Sequence, residues 1–255
     1  MTIISVAIQK GGSGKTTTAI NLAAALRDKG KRVLLIDLDP QANLTQALGI
    51  ADDIEPNLYH LFQQEAAGKE ANLAMILVEK CGMHIAPSSL ELANTELELV
   101  SVYGRERLLT NMIQPLATQF DYVLIDCPPA IGMLTVNALA ASQWILMPLQ
   151  AEFLPLKGVR SFMRAFDRIR RQINPTLKPL GFVLTKYDAR KTMTQNILFQ
   201  LTAEFGNTVL SSHIHTNIAL VKAQEAGLDI FTYDTKSKGA QNYEALAEEI
   251  LLLLK

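Results

Sequence analysis

A glycine-rich segment near the beginning of the sequence has the composition of a loop that binds phosphate. Residues 9–17 read Gln-Lys-Gly-Gly-Ser-Gly-Lys-Thr-Thr and lie between an apolar run and a run rich in Ala and Leu. Glycines let backbone N–H groups turn inward around a polyphosphate, and the N-terminus of a following helix adds partial positive charge. At this spacing Lys15 reaches the β- and γ-phosphate oxygens and the Thr16 hydroxyl ligates Mg²⁺. The segment predicts a nucleotide cradle made of Gly11, Gly12, Ser13, Gly14, Lys15, Thr16 and Thr17.

Three aspartates at the ends of apolar runs are candidates for the rest of this chemistry. Asp126 ends a run that begins at Tyr122, and a carboxylate at the carboxyl edge of a parallel sheet can hold Mg²⁺, most often through water. Asp37 and Asp39 are two residues apart, so they point to the same side of an extended segment. We predict that Asp37 contacts the metal indirectly, from outside its direct ligands, and that Asp39 orients the attacking water. The alternative, that these are ordinary solvated acids at strand ends, stays open on the sequence alone.

These residues need a parallel sheet to bring them to one edge, and the pattern of the chain predicts one. Short β-branched and aliphatic runs alternate with helical periodicity from end to end, which is typical of a parallel sheet wrapped by helices. We predict strands at residues 3–8, 32–38, 122–126, 144–149, 179–185 and 208–212. We predict helices at residues 16–28, 156–173, 193–205 and 240–254. Residues 41–120 read as mostly helical, with one short strand near residues 84–86.

The expected fold class is therefore α/β, a mostly parallel twisted sheet with helices on both faces, of the P-loop NTPase type. The composition, 49% hydrophobic and 19% charged, suits a large core. No repeat, low-complexity segment or long linker interrupts the pattern. We expect residues 1–255 to form a single domain built around the phosphate loop.

Charge and apolar patterning exclude several classes of protein. With 24 Lys and Arg against 25 Asp and Glu, the net charge of −1 does not drive the chain onto nucleic acid or an anionic membrane. No apolar run approaches the length of a membrane span, and no basic segment of a signal peptide precedes the first strand. The two cysteines, Cys81 and Cys127, are too few for a disulfide framework or a four-thiolate metal site. We expect a cytoplasmic protein whose thiols are buried and inert.

The glycine-rich segment departs from the common phosphate-loop pattern. Position 9 is Gln9 where that pattern has Gly, and an additional lysine, Lys10, stands two residues before Gly12. In this respect the segment resembles the deviant Walker A loop of the ParA/MinD family of ATPases. The resemblance implies ATP and Mg²⁺ as cofactors and a homodimer that closes face to face around two nucleotides. It also implies that Lys10 crosses the dimer interface to the phosphates bound by the partner.

Other segments extend this resemblance over nearly the whole chain. Residues 33–41 resemble the family's second motif, which puts Gln41 among the nucleotide-binding residues, and residues 123–129 resemble its Walker B strand and switch loop. Residues 148–158, and residues 233–240 followed by Tyr243, are closer to ParA/Soj proteins than to MinD. Residues 214–218 resemble the loop that contacts the purine base, which implies a base contact at Asn217.

Arginines form a local basic surface that the near-neutral net charge conceals. Nine basic and two acidic residues lie between positions 160 and 191, whereas the rest of the chain has 15 basic and 23 acidic residues. Helical spacing puts Phe162 and Phe166 on one face of the predicted helix. The opposite face has Arg160, Arg164, Arg168 and Arg171. The alternative, a solvated face whose arginines pair with acids elsewhere, stays open.

In a ParA-like protein, such a surface implies non-specific DNA binding through phosphate contacts. The resemblance adds Arg190, in an Asp-Ala-Arg sequence, as a further DNA contact. Thr216 and Ala219 stand where the family has arginines in the purine loop. The candidates to compensate for them are Lys222, Lys236 and Lys238.

The resemblance therefore implies a DNA-positioning ATPase. ATP would close the dimer on nucleoid DNA, and a ParB-like protein or another cargo adaptor would stimulate slow hydrolysis and release. The sequence does not distinguish between a plasmid, a chromosome origin and a protein assembly as the cargo. The alternatives are a MinD-like membrane-cycling ATPase and, less favoured, a metabolic phosphotransferase or cluster reductase. Residues 248–255 contain an apolar run flanked by two acids and have only one cation, so we expect a helix docked on the core and no stable membrane association.

Overall fold

An eight-stranded sheet runs through the part of the chain that the computed structural model describes, residues 1–51, 53–151 and 156–255. The strands are β1 Thr2–Val6, β2 Val33–Asp37, β3 Val78–Lys80, β4 Met83–Ala86, β5 Tyr122–Asp126, β6 Trp144–Gln150, β7 Lys178–Tyr187 and β8 Val209–His215. Their order across the sheet is β3-β4-β2-β5-β1-β6-β7-β8. Every neighbouring pair is parallel except β3 and β4.

Helices connect these strands. The α-helices of the described residues are α1 Lys15–Asp28, α2 Asn43–Ala47, α3 Leu58–Ala66, α4 Thr95–Glu98, α5 Leu108–Ile113, α6 Met133–Ala141, α7 Leu156–Gln172, α8 Thr192–Phe205, α9 Ile218–Glu225, α10 Ile230–Tyr233 and α11 Lys238–Leu253. Short 3₁₀ helices occur at Leu73–Met75, Leu90–Asn94, Leu99–Ser101, Gln114–Leu116 and Gly206–Thr208.

The predicted α/β class is confirmed, and the predicted strands and helices agree with the structure to within three residues at each end. The prediction of one strand between residues 41 and 120 is wrong, because β3 pairs antiparallel with β4. β3 has three residues, all partly exposed, so it lacks the alternation that reveals a strand. The turn that joins the two strands contains Cys81 with a positive φ of 50°, which is rare for a residue other than Gly, Asn or Asp.

Two apolar cores lie on opposite faces of the sheet. Leu35 and Leu124 pack on one face with residues of α1 and α11, while Ile36 and Ile125 pack on the other with residues of α3, α5, α6 and α7. Because side chains alternate along a strand, strands covered on both faces are apolar throughout. This arrangement fixes β2, β5 and β1 side by side, so that their carboxyl ends meet at one edge, where ligands bind in open α/β sheets.

Candidate active site

The phosphate loop connects β1 to α1 at the carboxyl edge of the sheet. Gly12 and Gly14 have φ angles of 68° and 91°, in the left-handed region that favours glycine. Gln150 of β6 donates a hydrogen bond to the Gly12 carbonyl, and the Thr185 hydroxyl of β7 donates one to the Ser13 carbonyl at 2.8 Å. The N–H groups of residues 11–17 have no partner within the described chain. With these carbonyls held by the sheet, the free N–H groups form a cradle that suits a polyphosphate.

A cleft of about 630 Å³ opens above this loop. Its lining includes all seven predicted cradle residues, Gly11–Thr17, together with Asp39, Gln41 and Pro129. The amine of Lys15 is buried in the loop and donates a hydrogen bond to the Lys10 carbonyl at 3.2 Å. The structure therefore brings the predicted cradle, Asp39 and Gln41 together around one space.

Two buried carboxylates lie side by side next to the cleft. Asp37 and Asp126 are register partners at the ends of β2 and β5, and both are fully buried. Asp126 accepts a hydrogen bond from the Thr16 hydroxyl at 2.6 Å through Oδ2, whereas its Oδ1 is buried without a partner in the described chain. Asp37 Oδ2 accepts bonds from the amide and the hydroxyl of Thr45, at 2.8 and 2.7 Å. Thr16 thus links the cleft to the acidic pair.

The acidic pair has the electrostatics of a cation site. Burial raises the pKa of Asp37 to about 7. Burial, and then the neighbouring Asp37 carboxylate, raise the pKa of Asp126 well above its usual range. Adjacent buried carboxylates with one bare oxygen fit a divalent cation such as Mg²⁺. No group of three or more His, Cys, Asp or Glu in the described residues could hold a metal, so such a cation would complete its shell with Thr16, phosphate and water.

Asp39 lies at the cleft rather than in the acidic pair. One of its carboxylate oxygens accepts a hydrogen bond from the Gln41 amide at 3.0 Å. Its backbone carbonyl accepts a bond from the Ser88 hydroxyl at 2.8 Å, and its amide donates to Asp37 at 3.3 Å. These contacts fix the Asp39 backbone while its side chain lines the space where phosphates would bind.

A second, smaller cavity adjoins the phosphate loop and contains Asn217. It measures about 160 Å³ and is lined by Gly12, Thr185, Leu220 and Tyr243, among others. The Asn217 side chain caps α9 by accepting a hydrogen bond from the Ala219 amide at 2.7 Å. The predicted base-contacting residue therefore stands beside the loop, in a cavity bounded by apolar side chains.

The basic residues predicted to bind DNA differ in whether their side chains are already paired with other groups of the protein. The guanidinium of Arg160 forms a two-pronged pair with Glu204, with bonds of 2.7 and 2.8 Å, and this pair lowers the pKa of Glu204. Arg190 forms a similar pair with Asp188 and lowers the pKa of Asp188 to about 2. Arg171 donates to the Asp167 carbonyl. Arg164 and Arg168 are exposed and form no ion pair with any residue in the described ranges.

The structure also separates these residues in space. α7, with its arginines, packs on the face of the sheet that holds α5 and α6. The exposed Lys222 lies in α9, Lys236 in the segment before α11 and Lys238 in α11. Helices α9 and α11 pack on the face that holds α1. The predicted basic residues therefore do not form a single surface on one protomer.

Several residues that complete the site were missing from the predicted set. Thr45 holds Asp37, Gln150 and Thr185 hold the loop carbonyls, and the Gln224 amide donates to the Thr17 hydroxyl at 3.1 Å. Thr185 is the last residue of the strand predicted at 179–185 and lies near the carboxyl end of β7, and this position was a signal that could have identified it. Gln150 lies in the ParA-like segment 148–158, whereas Thr45 and Gln224 have no motif or periodicity that marks them.

Comparison with known proteins identifies the family. Residues 1–179 match a family model described as an AAA domain. Over 250 residues the chain is 38% identical to the chromosome partitioning protein ParA of Myxococcus xanthus, covering 98% of this chain and 87% of that protein. The chain belongs to the ParA/Soj family of ATPases. It is also 37% identical to the chromosome-partitioning ATPase Soj of Treponema pallidum over 243 residues, covering 95% and 94% of the two chains.

A solved structure agrees with this assignment. The ParA-family chain superposes with a TM-score of 0.86 on a Mycobacterium smegmatis chain described as cobyrinic acid a,c-diamide synthase with bound ATP analogue and magnesium. The two are 35% identical, and the match covers 98% of this chain and 94% of that one. The predicted fold and ATPase class are thereby confirmed. Of the ParA-like segment 148–158, residues 152–155 lie outside the described residues. No described helix has the length and apolar character to cross a membrane.

Proposed function

We propose that this partition ATPase binds Mg²⁺–ATP in the phosphate cleft, closes into a homodimer and positions a cargo on nucleoid DNA through partner-stimulated hydrolysis. The observation that supports this most directly is the cleft itself. A cradle of free N–H groups stands next to Thr16, whose hydroxyl is bonded to a buried aspartate with a bare oxygen. These are the groups that bind a metal–polyphosphate complex.

Each cleft residue has a proposed task. Residues 11–17 donate N–H groups to the phosphates, and Lys15 neutralises their charge. Thr16 and Asp126 hold Mg²⁺, with Asp37 as a further contact, and the ion supplies charge neutralisation at the transferring phosphate. Gln41 contacts the nucleotide near the phosphates, and Asn217 contacts its base.

Hydrolysis is proposed to depend on two residues that have different roles. Asp39 orients the attacking water, a role supported by its fixed backbone and its place in the cleft wall. Lys10 reaches the phosphates held by the partner protomer across the dimer interface. Its backbone carbonyl accepts a hydrogen bond from the Lys15 amine, so Lys10 belongs to the loop that surrounds the phosphates.

DNA binding is proposed to involve Arg164 and Arg168, with Arg160, Arg171 and Arg190 contributing less because their guanidinium groups have protein acceptors. Contacts with phosphate need no base-reading motif. A ParB-like protein or another cargo adaptor is proposed to stimulate hydrolysis, and the protein is proposed to be cytoplasmic and associated with the nucleoid. The membrane-cycling alternative is disfavoured because α11 buries Leu246, Ala247 and Ile250 in the core.

Sedimentation velocity with ATP and Mg²⁺ tests this function through two variants. The Asp39→Ala protein should form a dimer that persists, because it retains the phosphate contacts but loses water orientation. The Lys10→Ala protein should bind ATP with nearly wild-type affinity and remain a monomer, because its task lies across the interface. A normal Lys10→Ala dimer, or wild-type stimulated hydrolysis by Asp39→Ala, would contradict these assignments.

A further inference from the structure

The loop that follows Asp126 is fastened at several points. It comprises residues 127–132, α6 begins directly after it at Met133, and its Pro129 lines the phosphate cleft. The Cys127 amide donates to the Val6 carbonyl at 3.2 Å, and the Ala130 carbonyl accepts from the Thr135 hydroxyl at 2.6 Å. The position of Pro129 therefore depends on how firmly the start of α6 is held.

Glu96 of the short helix α4 holds that start. Its two carboxylate oxygens accept hydrogen bonds from the amides of Met133 and Leu134, at 2.7 and 3.1 Å. These are the first N–H groups of α6, which have no acceptor within their own helix. The residue before them, Gly132, has no side chain to cap the helix. Glu96 supplies this cap from a distant segment, and its charge complements the positive end of the helix.

The contact is so close that a side chain at position 132 would have to displace the Glu96 carboxylate. A Cβ atom on Gly132 would lie 2.3 Å from Oε1 of Glu96. The backbone of Gly132 has φ −104° and ψ −168°, an extended conformation that alanine adopts readily. A larger residue at position 132 would therefore meet the Glu96 carboxylate, whereas the backbone conformation at this position would accept it.

We propose that Glu96 is a positioning residue for ATP hydrolysis, which clamps the start of α6 and thereby sets where the 127–132 loop meets the phosphate cleft. The clamp is a feature of the fold, whereas its effect on turnover rests on the proposed function. Glu96 does not line the cleft, so the clamp acts on the loop and not on the nucleotide directly.

Hydrogen exchange on the nucleotide-free protein tests the clamp. In Glu96→Ala the amides of Met133 and Leu134 should exchange about 10- to 100-fold faster, the range expected when a charged helix cap is lost. Glu96→Gln should restore part of the protection, because its amide oxygen still accepts one bond. The matched control is Glu98→Ala on the same helix, whose carboxylate accepts from the Tyr59 hydroxyl instead, and it should leave both amides protected. Unchanged exchange in Glu96→Ala would overturn the proposal.

A double-variant cycle tests the same contact sterically. Gly132→Ala alone should displace the carboxylate and expose the two amides as Glu96→Ala does. In the Glu96→Ala background, Gly132→Ala should change neither exchange nor the melting temperature appreciably, because the obstacle is absent. Additive effects of the two substitutions would mean that they act separately, and the clamp would be refuted.

Kinetics separate positioning from a purely structural role. At a temperature where all variants are folded, Glu96→Ala should lower kcat by about 10-fold, because small displacements of catalytic groups cost this much or more. The dissociation constant for ATP should stay within about 2-fold of wild type, and Glu98→Ala should match wild type in both. Faster exchange with an unchanged kcat would overturn the positioning role. A wild-type protein without ATPase activity would instead overturn the proposed function, and the exchange rates would still decide the clamp.

Discussion

The pairing of the α7 arginines predicts how DNA affinity responds to salt. Arg164 and Arg168 form no ion pair with the described residues, whereas Arg160 is neutralised by Glu204. Replacing Arg164 and Arg168 by Gln should remove the contacts that release counterions from DNA. The exposed side of the helix is altered and its buried phenylalanines are not, so the fold should persist.

The magnitude follows from the number of unpaired arginines. Two arginines per protomer give four phosphate contacts in a dimer, and each contact contributes about −0.9 to the slope of log K against log[salt]. The slope of about −3.6 predicts that affinity falls roughly 150-fold between 50 and 200 mM salt. In Arg164→Gln/Arg168→Gln the slope should move toward zero by about this amount.

Filter binding of the ATP-trapped Asp39→Ala dimer to DNA of arbitrary sequence measures this slope. The matched control is Arg160→Gln/Glu204→Gln, which removes the two-pronged pair without altering the net charge and should leave the slope within about one unit. Affinity should weaken equally for any DNA sequence, because phosphate contacts position without specifying. The reasoning from ion pairing would be refuted if Arg164→Gln/Arg168→Gln retained the wild-type slope. It would also be refuted if the control variant changed the slope as much as Arg164→Gln/Arg168→Gln does.

The cleft supplies two more predictions. Lys15→Ala should weaken ATP binding by about 100-fold or more in a fluorescent-nucleotide titration, because it removes a charge-assisted contact with the phosphates; affinity within threefold of wild type would contradict this role. The nucleotide-free protein should lose stability as pH rises, because burial raises the pKa of Asp37 to about 7 from an ordinary value of 3.8. Stability due to the protonated carboxyl is fully present below pH 3.8 and is lost as pH rises through 7, and urea unfolding should show a loss of about 2 to 3 kcal/mol between pH 5 and pH 8. Asp37→Asn should reduce this dependence, and an equal pH slope in wild type and variant would exclude Asp37 as a source of it.

The sequence predicted the parts of the site that end regular elements. Asp37 and Asp126 follow runs that are apolar on both faces, so the parallel sheet they imply brings their carboxylates to one edge. The buried face of α7 was equally predictable, because Phe162 and Phe166 recur at helical spacing and are both buried.

Contacts between distant segments were not predictable in this way. Arg160 and Glu204 are 44 residues apart, and Glu96 meets the start of α6 across 37 residues. No periodicity or motif links such positions, since each depends on how separate elements pack. Thr45 lies in the five-residue helix α2, which is too short to show an apolar pattern.

The hairpin of β3 and β4 has a practical consequence for labelling. Its turn precedes β4, at the amino edge of the sheet, so Cys81 stands on the side opposite the phosphate cleft. The prediction that both thiols are buried is wrong for Cys81, which is partly exposed because it lies in this turn. Cys127 is fully buried, and burial raises the pKa of its thiol far above the usual range, which makes it inert toward maleimides. The native chain therefore accepts one fluorophore at Cys81, away from the nucleotide, and single-molecule tracking on DNA requires no cysteine to be replaced.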